Sequence, residues 1–124
     1  MGDVDSYIWC SCKSCKELLV KYGTDAGGSL IFYNNVYDTI MDWFTNDEEG
    51  RKYYDPDFRM IFPAYYKTEL APVTKDSSTG EYIPIDEMVR PRDGVVIDIS
   101  PRFSNYTKPF TDEVNKNDYE TSRT

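Results

Sequence analysis

Helical periodicity is concentrated in the first fifty or so residues of this chain, and short β-rich runs dominate from Phe58 onward. A chain patterned in that order does not make a regular β-α-β array. It is expected to segregate its helices from its sheet, as an α+β domain. Ser14-Cys15-Lys16-Glu17 fits an S-x-x-E capping box ahead of Leu18, Leu19 and Tyr22. A helix of about two to three turns is predicted there, ended by Gly23. Asp25-Ala26-Gly27-Gly28 reads as a turn, and residues 29–33 as a short buried strand. Asn34 or Asn35 then caps a second helix, whose apolar stripe is Val36, Ile40 and Phe44, with Tyr37 and Met41 beside it. Gly50 weakens that helix and Asp55-Pro56-Asp57 ends it.

Residues 58–68 make the next strand, with Phe58, Met60 and Phe62 on one face and Arg59 and Ile61 on the other. Pro63 places this strand at a sheet edge or at a bulge. Residues 70–75 and 81–85 flank Asp76-Ser77-Ser78-Thr79-Gly80, the pattern of a hairpin with a Gly-containing loop. Pro91-Arg92-Asp93-Gly94 is a turn, and Val95–Ile99 opens with three β-branched residues. The expected architecture is two N-terminal helices packed on a mostly antiparallel sheet within residues 1–103. Residues 104–124 are expected to form an extended polar C-terminal tail, because Tyr106, Phe110, Val114 and Tyr119 are too isolated to build a core. A length of 124 residues suits a single domain.

The charge balance narrows the function classes. With 22 acidic and 14 basic residues the net charge is −8, which repels phosphate backbones and disfavours direct nucleic-acid binding. A basic protein partner is attracted instead. The chain contains no histidine, so histidine-based triads and H-E-x-x-H metal sites are excluded. P-loop, dinucleotide-binding and nucleophile-elbow motifs are also missing. No apolar run reaches the roughly 18–20 residues of a membrane span, and no secretory leader pattern opens the sequence. The expected location is the cytoplasm or a virion, away from membranes.

All three cysteines fall in one C-x-C-x-x-C cluster, Cys10, Cys12 and Cys15. Cys12-Lys13-Ser14-Cys15 is a C-x-x-C at a predicted helix N-terminus, where backbone amides and the helix dipole favour a thiolate, as do Lys13 and Lys16. With Trp9 upstream, the stretch from Trp9 to Leu19 resembles the active-site turn of thioredoxin- and glutaredoxin-type proteins. That resemblance implies a thiol–disulfide oxidoreductase with Cys12 attacking and Cys15 resolving. The same thiolates have the spacing to wrap a Zn²⁺, and Cys15-Lys16-Glu17-Leu18 resembles one knuckle of a zinc ribbon. A closed zinc site needs four ligands, so Asp3, Asp5 or a partner chain would have to complete it. A regulatory or intermolecular disulfide is a third reading. The plainest is reduced thiols, one or two of them packed as small hydrophobes near a helix start, with no cofactor.

Two surfaces add further readings. Asp47, Glu48 and Glu49 form the densest acidic run, which fits either a solvated helix end or a phosphate-mimicking inhibitor of a nucleic-acid enzyme. Tyrosine is abundant, with eleven residues, and Tyr53, Tyr54, Phe58, Phe62, Tyr65 and Tyr66 crowd around the predicted edge strand. An edge strand rich in tyrosine is a docking surface for another chain. The leading expectation is therefore a non-enzymatic protein that works by protein–protein contact, as a structural or accessory subunit of a larger assembly such as a virion. Tyr65, Tyr66, Tyr106, Phe110 and Tyr119 are its expected anchors on a partner or on further copies of the chain.

Overall fold

The computed structural model of the chain describes residues 10–100, 105, 107–109 and 111–115, apart from the Tyr66 side chain. Helix α1 spans Lys13–Tyr22 and stops where expected: Gly23 adopts the left-handed conformation (φ 69°), and its amide donates to the Leu19 carbonyl. The N-cap is Cys12 rather than Ser14, so α1 begins earlier than the S-x-x-E pattern places it. Glu17 does not reach back to close a box; it lies 3.8 Å from Lys13, one turn before it.

Thr24 then caps α2, accepting a hydrogen bond from the Ala26 amide, and α2 runs unbroken over Asp25–Asn46. This overturns the strand expected at 29–33, and the Asn34 or Asn35 cap with it. Gly27 and Gly28 read as a turn because glycine is a poor helix former. Here they serve close helix packing. A Cβ at Gly27 would overlap the Tyr22 side chain, and one at Gly28 would lie 3.3 Å from Leu18 Cδ1. At about 1.5 Å per residue, α2 is some 33 Å long, and it packs against α1 and against the strands Met60–Ala64 and Val95–Ile99.

Strand β1 (Met60–Ala64) pairs in parallel with β4 (Val95–Ile99), from Met60 opposite Val95 to Ala64 opposite Ile99. The intervening chain supplies the crossover that a parallel pair requires. It contains the antiparallel hairpin of β2 (Val73–Lys75) and β3 (Tyr82–Pro84), closed by Asp76 and by Gly80 at φ 75°. The fold is thus a small α+β domain. Among the described residues, the expected mostly antiparallel sheet gives way to one parallel and one antiparallel pair. Pairing direction depends on where the chain goes between strands, and strand patterning carries no trace of that.

The core lies between α2 and the β1–β4 pair. Ala26 and Leu30 of α2 pack against Phe62, Ala64 and Val95, with Tyr33, Tyr37, Met60, Ile97 and Ile99 partly covered around them. Aromatic rings extend it toward the end of α2, where Phe58 stacks on Tyr37 and meets Phe44 edge-on. Buried Thr68 donates to the Pro63 carbonyl at 2.8 Å, anchoring the turn that follows β1.

Candidate functional site

The start of α1 gathers the three cysteines. Cys12 sits at the N-cap in extended conformation, Cys15 lies in the first turn, and Cys10 stands two residues before the cap. One ligand atom from each lies within 4.8 Å of the other two, and all three thiols are free. Cys10 and Cys12 are exposed and Cys15 is half-buried. Three thiols this close can bind a metal ion such as zinc.

The electrostatics of the cluster are asymmetric. The Cys12 sulfur makes no complete capping bond. The Cys15 amide is nonetheless close enough to be the main influence holding the Cys12 thiol below its ordinary range, followed by the Cys10 side chain. Cys15 is pushed up to about 12, first by its side-chain contacts with Cys10 and Cys12 and then by burial. Cys12 is therefore the first of this pair to ionise, and Cys15 keeps its proton as a donor to its neighbours. Lys13, Lys16 and Lys21, with Glu17 and Val20, border an open depression along α1 that none of the three cysteines lines.

The thioredoxin-like turn implies a strand and a second helix after the motif helix, but α2 follows α1 directly. Of the acidic run, Asp47 is engaged locally, accepting hydrogen bonds from the Glu49 and Gly50 amides at 2.9 Å. Glu49 pairs with Lys52 at 2.6 Å, and Glu48 is exposed. Among the expected anchors, Tyr65 is half-buried beside the Thr68 hydroxyl, and the backbone of Tyr66 opens a short 3-10 turn. Tyr106, Phe110, Tyr119, Asp3 and Asp5 lie outside the described residues.

A surface not singled out from sequence appears on the outer side of β1–β4. Ile61 and Val96 are register partners, and both are exposed, at 63% and 47%. The outward direction of Ile61 follows from alternation. Its pairing with Val96 does not, because the two are joined only by the crossover. Comparison with protein-family models, curated proteins and solved structures returns no significant match. Among the described residues, no helix is long and apolar enough to cross a membrane.

Proposed function

We propose that this chain is a non-enzymatic protein-interaction domain, an accessory subunit that accepts an extended segment of a partner as an added strand along β4. The observation that carries the reading is the exposed Ile61–Val96 pair on a two-stranded parallel sheet. Parallel strands are ordinarily covered on both faces, and two strands alone are a minimal sheet.

Backbone direction selects the edge. The Met60 amide donates to the Gly94 carbonyl and the Ser100 amide to the Ala64 carbonyl, flanking the register. Alternation then turns the Val96 and Asp98 amides toward β1 and those of Ile97 and Ile99 away from it. On β1 the same alternation turns Ile61 and Pro63 outward, and Pro63 has no amide to offer. Strand addition is thus disfavoured along β1, which loses one of its two outward amides, and open along β4, where no other described strand pairs. An incoming segment would extend the Ile61–Val96 patch with apolar side chains and set a basic residue beside exposed Asp98, in keeping with the net charge of −8.

Panning a library of short random peptides against the purified protein tests this. Enriched peptides are expected to alternate apolar residues, to carry Lys or Arg, and to slow hydrogen exchange at the Ile97 and Ile99 amides. Val96→Lys is expected to abolish that binding. Failure to enrich any peptide, or binding that leaves those two amides unprotected, rules the reading out.

A further inference from the structure

We propose that Cys10, Cys12 and Cys15 hold one Zn²⁺ ion through three thiolates and leave its fourth position open to a donor from outside the chain. This site is independent of the strand-docking reading and lies on a different element.

The distances come first. Zinc–sulfur bonds are about 2.3 Å, so sulfurs around a tetrahedral zinc stand roughly 3.8 Å apart. The three sulfurs already lie within 4.8 Å of one another, so each needs to move by less than about 1 Å. Two of the side chains are exposed and free to make that adjustment. The backbone supports the same arrangement: Cys12 caps α1, Cys15 lies in its first turn, and Cys10 stands two residues before the cap.

The donor set then selects the ion. Three thiolates suit a soft or borderline ion, and hard Ca²⁺ or Mg²⁺ would require oxygen ligands. The chain has only three cysteines and no histidine, so it cannot supply a fourth thiolate or an imidazole. Among the described residues, no carboxylate joins the cluster. The exposed flank formed by Cys10 and Cys12 is where an external thiol, imidazole or partner side chain has access.

Charge is balanced as well. Zn²⁺ with three thiolates carries one net negative charge, which the first-turn amides of α1, beginning at the Cys12 N-cap, offset. Binding forms three zinc–sulfur bonds, releases the three thiol protons to solvent and changes no oxidation state. The bound ion would tie the residues before α1 to its first turn.

The test is an anaerobic titration of the reduced protein with Co²⁺, followed by Zn²⁺, with native mass spectrometry of the zinc form. One Co²⁺ per chain should bind, with thiolate-to-cobalt charge transfer and tetrahedral d–d bands, and Zn²⁺ should displace it. Each of Cys10→Ser, Cys12→Ser and Cys15→Ser should lose about one third of the charge-transfer intensity. Each should also weaken binding by at least about tenfold, the loss that even an outer-shell partner can cause. Added 2-mercaptoethanol should shift the d–d bands by entering the open position. Unchanged binding in Cys10→Ser, two chains per ion, or no bound metal at all would overturn the three-thiolate site. A spectrum insensitive to 2-mercaptoethanol would overturn the open fourth position. Far-ultraviolet circular dichroism of the variants separates loss of a ligand from loss of the fold.

Discussion

Asn34 is tied to Arg90 across the core, its side-chain amide donating to the Arg90 carbonyl at 2.9 Å. The same nitrogen donates to the Met88 carbonyl at 2.9 Å, and the side-chain oxygen accepts from the Arg92 amide at 3.2 Å. Asn34 is 1% exposed, so one side chain on α2 satisfies three backbone groups of the segment that leads into β4.

Removing it leaves two carbonyls and an amide without that partner. Asn34→Ala is therefore expected to lose about 2–3 kcal/mol of stability, read from urea denaturation midpoints. A loss below about 1 kcal/mol would mean that water replaces the carboxamide.

The two faces of β1 should respond in opposite ways. Phe62 is buried in the core, and Phe62→Ala is expected to cost about 3–5 kcal/mol. Ile61→Thr combined with Val96→Thr trims only exposed side chains and should cost less than about 1 kcal/mol. Thermal unfolding of both variants checks the contrast, and equal losses would contradict the assignment of the faces.

Asp86 links the hairpin side of the fold to α1, with its Oδ2 lying 2.8 Å from Lys21 Nζ and accepting from the Tyr22 hydroxyl at 3.1 Å. The Lys21 ammonium, ahead of the tyrosine hydroxyl, holds the Asp86 carboxyl below the ordinary carboxylate range. A depressed carboxylate contributes stability above its unfolded pKa of about 4 and loses it as pH falls through the folded value. Stability should therefore drop more steeply on acidification in the wild type than in Asp86→Asn, converging at low pH. Parallel pH profiles of denaturation midpoints would count against the link.

Within the acidic run, Asp47 and Glu48 should behave differently. Asp47→Ala removes the acceptor for the Glu49 and Gly50 amides and should cost about 1 kcal/mol. Glu48→Ala should stay within about 0.5 kcal/mol. Chemical denaturation of both variants decides the matter, and equal effects would return the run to a uniform charged surface.

Gly50 marks a steric limit. A Cβ there would overlap the Trp43 backbone carbonyl, which cannot swing aside as a side-chain tip can. Gly50→Ala is expected to cost more than about 2 kcal/mol, seen as a lowered melting temperature, and a neutral outcome would require the end of α2 to shift.

Local chemistry by itself determined several features of this protein. Gly23 stops α1 because only glycine enters the left-handed region freely, and Asp76 to Gly80 closes a hairpin for a similar reason. The alternation through Phe62 and Ile61 and the β-branched start of β4 were legible, since a strand's faces follow from period two. Clustering of the three thiols was legible in C-x-C-x-x-C, because a C-x-x-C at a helix start puts Cys12 and Cys15 on one turn and Cys10 is only two residues away. Tertiary structure decided the rest. Gly27 and Gly28 are helical because Tyr22 and Leu18 pack where side chains would otherwise stand, and no local signal distinguishes that use of glycine from a turn. Buried Asn34 looked like a cap because its partners lie more than fifty residues away. The parallel pairing that sets Ile61 beside Val96 depends on the path of the crossover, a long-range choice that neither strand encodes.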